Sequence, residues 1–509
     1  SEHPPWTGDT LVRVKDPEGN PVPDAVVLMG GWSSERWVVT DAEGLATVPI
    51  EYVEGTERQV LAGKVGWLSA GTRVPDEEPT GGLDVVLRPL PDNDNPEYSF
   101  QPGGDSSSMS TEFCGHCHLS ISDDWSGSVH AQAASDPELW DLYTGRASRM
   151  SSCEQGELAQ GQVPGQAEVA DYCYVTEGVL GWLNEGCGGP GEPRCDHPDQ
   201  RADLEELGGC GDCHSPAIDG GEPGHIDLAG AQGVAFEGVT CDFCHKVRSV
   251  TPGPLPGLQA IQLERPSVET QGLFDYEPIM FGPYPDVTVP LMNGSYAPQF
   301  REPGWCSSCH EYGQPALHPD QELDEERWPE GLPVHETWSE FLASGAEEAG
   351  FSCQGCHMGT LYEDSAVYDT PDGEIVSPVH GWVREEGEVH HHDWPDAQGL
   401  GDPYVELALA EVEGTLQASV TLVNRAAHAV PTGEPMRQVI VLVSAVDAQG
   451  EPVQPVSGQT VPDVGGYTLT GVLGSDASLQ GSLLSLPGAG QLEGQWTLRI
   501  VRPTGTWDD

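Results

Sequence analysis

Apolar and polar positions alternate along both ends of the chain but not through its middle. Over residues 8–92 the alternation has the two-residue period of strands with one buried face, and it predicts strands at 11–14, 25–29, 37–40, 46–50 and 83–90. The turn signals Pro17-Glu18-Gly19-Asn20 and Asp41-Ala42-Glu43-Gly44 separate them, so a small β-sandwich is expected. Alternation returns after residue 402, with strands predicted at 405–412, 416–423, 438–446 and 496–501 and a second sandwich as their natural product. Between the two lie a linker rich in Pro, Asp, Asn, Gly and Ser (91–110) and a long stretch punctuated by Gly and Pro, where only 135–143 and 336–344 read as helices. A chain of 509 residues is too long for one core. Three domains are predicted, at 1–98, 99–401 and 402–509, giving a mixed fold class in which an irregular middle with few short helices is flanked by β-sandwiches.

What fills that irregular middle is legible in its cysteines. Cys-x-x-Cys-His occurs five times, at Cys114/Cys117/His118, Cys210/Cys213/His214, Cys241/Cys244/His245, Cys306/Cys309/His310 and Cys353/Cys356/His357. Two intervening residues let both thiols reach the vinyl groups of one porphyrin while the adjacent imidazole reaches the iron. Zinc would draw four ligands from two cysteine pairs and gives no reason for a histidine after every second cysteine. Five covalently bound haem c groups are therefore expected, and a haem-packed domain explains the scarcity of regular structure. Of the 14 cysteines, the four outside the motifs, Cys153, Cys173, Cys187 and Cys195, cluster between the first and second motif. Two disulfides are expected among them; Cys187 and Cys195 flank a Gly/Pro-rich turn and are a candidate pair, and three pairings remain open.

Disulfides and c-type haems both point to an oxidising compartment. The chain begins at Ser1 with no basic, apolar leader, as expected of an exported protein whose signal peptide has been removed, and no apolar run is long enough to span a bilayer. A secreted protein is expected, extracellular or at the cell surface, with the periplasm as the alternative. With 21 basic and 82 acidic residues the formal net charge is −61, which argues against nucleic acid and anionic membranes as partners. Salt, bound divalent cations such as calcium, or basic partners would each offset that self-repulsion.

The second axial face of each iron decides between carrying electrons and binding substrate. Of 17 histidines, five are motif ligands and twelve remain for five distal positions. The candidates are His130 in "DDWSGSVHAQAA", His225 in "GEPGHIDLAG", His392 or a neighbour in "EVHHHDWP", His428 in "NRAAHAVPTGEP" and His335, with His318 and His380 as alternatives to the last. In an extended segment His390 and His392 would face one side and His391 the other. His3 and His197 read as surface residues, and His116 points away from its own haem. Met280, Met292, Met358 and Met436 read as core residues.

Two resemblances add to this reading. "VKDPEGNPVPDAVVLM" followed by "VTDAEGLATVPI" resembles the carboxypeptidase-regulatory-like β-sandwich, which implies a fold and no activity. The series "WSGSVHA", "GVTCDFCHKV", "WCSSCHEY", "ETWSEFLASGAEEAGFSCQGCHM", "HHHDWP" and "NRAAHAVPTGEPMRQVIV" resembles the multihaem cytochrome superfamily of hydroxylamine oxidoreductase and its tetrahaem electron acceptor, and more closely the secreted cytochromes that polymerise into filaments. That resemblance spans about 111–446 and implies distal ligation by His130, His392 and His428, transfer of electrons to redox proteins or extracellular acceptors, and a homopolymer. The five haems, the N-terminal sandwich and the cysteine-bearing insertion at 150–205 depart from it. The rival expectation, a multihaem oxidoreductase acting on a nitrogen or sulfur compound at one five-coordinate haem, is disfavoured because all five motifs end in histidine.

Overall fold

The computed structural model describes residues 5–52, 58–91, 94–103, 114–116, 118–144, 146–147, 158–162, 169–174, 210–218, 223, 226, 228–253, 257–266, 279–288, 293–314, 326, 332–359, 382, 389–394, 404–412, 415–423, 426–429, 432–433, 440–443, 482–485 and 495–501. The fold is mixed, with short helices and several small sheets. The chain forms two compact units, one of Ser1–Ala134, Gly208–Ser308 and Phe351–Pro395, the other of Ser135–Leu207, Cys309–Gly350 and Asp396–Asp509.

In the first unit the N-terminal alternation becomes nine strands: β1 (Gly8–Lys15), β2 (Val26–Met29), β3 (Val38–Val39), β4 (Leu45–Ile50), β5 (Gln59–Gly63), β6 (Trp67–Leu68), β7 (Ala70–Arg73), β8 (Leu83–Val86) and β9 (Arg88–Pro89). One sheet has the order β4-β1-β8, antiparallel then parallel, and a second, all antiparallel, has the order β3-β2-β5-β7. Val12, Val14, Val48 and Val85 from the first sheet share one buried core with Val27, Val60 and Leu61 from the second. Each such side chain contributes about 1.5–3 kcal/mol on burial. Both predicted turns are present: Asp16 accepts from the Asn20 amide (2.7 Å), and Asp41 from the Leu45 amide (2.8 Å). Gly44 has φ 72°, and a Cβ there would lie 2.6 Å from the Val14 carbonyl oxygen.

The run 83–90, expected as one strand, is two. β8 pairs with β1, whereas β9 pairs with β6 in another sheet, and the fully buried Leu87 lies between them. That other sheet has the order Met280–Gly282, Gly294–Tyr296, β6, β9, so strands from the motif region continue the N-terminal fold. Buried Asp286 strengthens the join by accepting from the Gly31 amide through its carboxylate (3.0 Å) and from Trp382 Nε1 through its carbonyl (3.1 Å).

In the second unit, Tyr404–Val412, Thr415–Val423 and Gln495–Val501 form an antiparallel sheet, and Ile440–Val443 pairs with Ser482–Ser485. The two predicted helices are Pro137–Thr144 and Thr337–Ser344, the second ended by Gly345 at φ 73° in a left-handed cap. The disulfide expectation lies outside the described residues, apart from Cys173 within the strand Val169–Tyr174.

Candidate metal centre

The five motifs take up nearly the same local structure. Cys210–His214 and Cys353–His357 are single helical turns, Cys241–Cys244 is a turn followed by His245, Ser307–His310 follows Cys306, and Cys114–His116 is a tighter turn closed by the His118 amide on the Cys114 carbonyl (2.9 Å). Helical spacing places positions i, i+3 and i+4 on one face, which is where Cys-x-x-Cys-His has its three functional side chains. The polar positions are used to fix the turns. Thr240 accepts from the Phe243 amide (3.2 Å) and Ser352 from the Gly355 amide (3.0 Å), capping two of them. Gly211 packs so close to Ile226 that a Cβ would meet its Cγ2 at 2.4 Å.

The motif cysteines differ in their exposure. Cys210 and Cys213 of the second turn are half-buried, as are Cys114, Cys241, Cys244, Cys306, Cys309 and Cys353, and each is a thiol rather than half of a disulfide. Cys356 departs from the rest: its thiol is exposed, because the fifth turn presents Gly355 and Cys356 outward while Gln354 points into the protein. Cys213, by contrast, follows the buried Asp212.

The first, third, fourth and fifth turns are linked by contacts. The Cys241 thiol donates to Cys114, a hydrogen bond that holds Cys114 below the ordinary thiol range and pushes Cys241 well above it. His245 stacks on Phe300 (5.4 Å, 14°), which packs on Trp305 (4.0 Å), the residue before Cys306. Gln354 of the fifth motif donates to the Phe300 and Glu302 carbonyls (3.1 and 2.8 Å), and His214 of the second reaches the Ala133 carbonyl (3.1 Å). Among the described residues no group of three or more His, Cys, Asp or Glu side chains forms a metal cage, so these turns do not converge in the four-ligand sets that zinc needs.

The histidines fit haem iron in their tautomers. A carbonyl oxygen only accepts, so an imidazole whose Nδ1 meets one must carry a proton there, which in the neutral ring leaves Nε2 as the lone-pair nitrogen. Nδ1 of His214 faces Ala133 O, that of His245 faces Phe281 O (2.6 Å), that of His390 faces Met358 O (2.6 Å), that of His392 faces His390 O (3.0 Å) and that of His428 faces Ala429 O (2.9 Å). Asp124 takes the same role toward His391 Nδ1 (2.8 Å). Burial, with a smaller contribution from the charge of His245, lowers His118 to about 4 and His392 to about 3, and burial also lowers His245. These rings are neutral at pH 7, the state a metal ligand requires.

No family model matches this chain, and no curated protein is similar to it. A solved structure, a penta-heme cytochrome c552 from Thermochromatium tepidum, is similar at 18% identity and a TM-score of 0.42, over 78% of this chain and 88% of that one.

The expected distal ligands fall into three groups. His130 and His392 both belong to the first unit and meet the same indole, Trp394, at 4.3 and 5.4 Å between ring centroids. The turn that carries His130 is held by its carbonyl, which accepts from the Val239 amide (3.0 Å), and Gly238 at φ 79° allows that approach, since a Cβ would lie 2.3 Å from the same oxygen. In the second unit His428 and His335 share a neighbourhood. Glu340 of the helix Thr337–Ser344 accepts from the Ala429 amide (3.1 Å) and Thr432 Oγ1 (2.6 Å), and a Cβ on Gly433 would lie 3.3 Å from His335 Nδ1. His225, His318 and His380 lie outside the described residues, as does Cys117; His310 is exposed. Met280 uses its sulfur to accept from Lys246 Nζ (3.3 Å).

Sequence reasoning did not single out Asp124, Trp394 or the buried pair Asp242 and Lys246. The last had a signal: "CDFCHK" places an acid and a base four apart on one turn, and the carboxylate accepts from Lys246 Nζ (2.5 Å), Tyr98 Oη (2.8 Å) and the Gln101 amide (2.8 Å). No local pattern marks Asp124 or Trp394, whose partners are remote in sequence. Among the described residues no helix is long and apolar enough to cross a membrane.

Proposed function

We propose that this protein is an electron carrier that binds five haem c groups through its Cys-x-x-Cys-His turns and passes electrons between closely spaced, mostly bis-histidine irons. The contiguity of the turns carries this reading. Thioether bonds tie each porphyrin edge to its cysteines, so a Cys114 and a Cys241 in contact bring two porphyrin edges together, and the His245, Phe300 and Trp305 stack leads on to the fourth motif. When bound, the haems supply the one-electron chemistry; the chain supplies spacing, neutral ligands and enclosure. His118, His214, His245, His310 and His357 would be the proximal ligands, with His130, His225, His335, His392 and His428 as the distal set. Cys213 and Cys356 would each supply the second thioether of their motif.

The finer reading is an exported cytochrome that works outside the cell, delivering electrons to redox proteins or extracellular acceptors, and that assembles into a homopolymeric filament. The resemblance noted above, the alternating segments at both ends and the surplus of histidines support it, while a charge of −61 means that assembly needs salt, cations such as calcium, or a ligand shared between copies.

Haem content and spin state test the carrier. Mass spectrometry and pyridine haemochrome assay should give five haems, and the ferric spectrum should be low-spin; a substantial high-spin fraction that binds nitrogen or sulfur substrates would replace the carrier with an oxidoreductase. Electron microscopy of native material tests assembly, and discrete monomers with every haem six-coordinate would remove the filament and leave electron transfer standing.

A further inference from the structure

Trp394 ends the segment His390-His391-His392-Asp393-Trp394, and its backbone stands in the left-handed region at φ 38°. A bulky L residue is uncommon there, and the following Pro395 steers its predecessor toward extended conformations, so the position is doubly unfavourable. Such a conformation persists where the surroundings over-determine it, and it clusters at functional sites. What surrounds this indole is a pair of imidazoles. His130 meets it edge-on at 4.3 Å and 72°, and His392 at 5.4 Å and 77°.

The two histidines come from distant parts of the chain, and neither is in a Cys-x-x-Cys-His motif. Each haem already has a motif histidine on one face, leaving room for one more ligand. As distal ligands, His130 and His392 would therefore serve different irons, and Trp394 would touch a ligand of each. The segment is anchored independently of the indole: the His391 amide donates to Gly359 O (2.8 Å), and the His391 ring meets Asp124 through Nδ1 (2.8 Å). His392 Nδ1 also meets His390 O (3.0 Å), and the indole is the contact that the two rings share.

We propose that Trp394 is a positioning residue shared by two haems, whose indole fixes the imidazole planes of His130 and His392 and so tunes two redox centres together. The physical link is orientation. The plane of an axial imidazole decides which iron orbitals its π system meets, and groups beyond the ligand set that plane. The inference rests on the carrier reading above, in particular on both histidines being ligands.

The experiment uses the full-length holoprotein and compares His130→Ala, His392→Ala, Trp394→Ala and Trp394→Phe by electron paramagnetic resonance and potentiometric titration, with haem count as control. Each histidine variant should convert a different single haem from low to high spin. Trp394→Ala should keep five attached, low-spin haems yet shift the g-values and potentials of two of them, the same two that the histidine variants identify. Trp394→Phe, which retains an aromatic edge, should return both toward the parent. If the alanine variant does not accumulate, Trp394→Leu replaces it with the same expectation. Movement of neither signal or of only one, or a phenylalanine variant indistinguishable from alanine, overturns the proposal. Histidine variants that leave every haem low-spin overturn the ligand assignment as well, so the two failures are distinguishable.

Discussion

The N-terminal sandwich is held mainly by an apolar core, whereas the Cys-x-x-Cys-His turns of the same unit combine an apolar cluster, with Ile226, Phe243 and Val247 in it, with many buried polar side chains. In the sandwich, buried positions are dominated by Val12, Val14, Val27, Val48, Val60, Leu61 and their neighbours, and strand pairing satisfies the backbone. Around the turns the buried set includes Asp212, Ser215, Thr240, Asp242, Lys246, Ser307, Ser308 and Gln354. Apolar burial is non-directional and tolerates exchange, whereas a buried hydrogen bond fixes a geometry and costs heavily if half of it is removed. The region around the turns adds the second kind of interaction to the first and gives up tolerance.

That contrast can be broken at several points. The largest effect is expected from Asp242→Ala, which leaves the fully buried Lys246 ammonium without its carboxylate and removes the acceptor for Tyr98 and Gln101. A loss of about 3–5 kcal/mol is expected, read as a lower guanidinium midpoint followed through haem absorbance; a change below about 1 kcal/mol would mean that the network is dispensable. Leu61→Ala in the sandwich should cost about 2–5 kcal/mol in the same assay, but should leave the haem spectra of the folded protein unchanged. A spectral change there would show the two regions to be more tightly coupled than the shared Asp286 contacts imply.

A smaller cost, about 1–3 kcal/mol, is expected for Gly238→Ala, since φ 79° disfavours any side chain and the new Cβ collides with the His130 carbonyl. Here the spectrum should change with the stability, one haem losing low-spin character as His130 is displaced. Unaltered ligation would detach Gly238 from the site.

The smallest effect concerns pH. Burial raises the pKa of Glu237, against a lesser opposing hydrogen bond from the Gly103 amide (3.1 Å). The folded state therefore keeps this proton to higher pH than the unfolded state, and wild-type stability declines as pH rises from about 4.5 through the folded pKa. Glu237→Gln keeps an acceptor and cannot ionise. Its thermal midpoint should exceed that of the wild type at neutral pH, and the difference should vanish below pH of about 4.

Strands β1 to β4, β8 and both turns were legible because period-two alternation and Asp/Gly turn chemistry act locally; β5, β6 and β7 were not predicted, and the break between Val86 and Arg88 escaped because pairing with two different sheets decides it. The five attachment turns were equally legible, since thiols and imidazole at i, i+3 and i+4 form one face without help from the rest of the fold. Their surroundings were not: the same motif leaves Cys213 half-buried and Cys356 exposed. Sequence alone thus determined which residues are chemically competent: the motif cysteines and histidines and the surplus histidines. Only the tertiary structure decided which of them meet. It brought Cys114 to Cys241, Asp124 to His391, and His130 and His392 to Trp394. The reason is physical: periodicity and motif spacing report interactions within a few residues, while contacts between remote segments depend on how loops close and pack, and no local pattern records that.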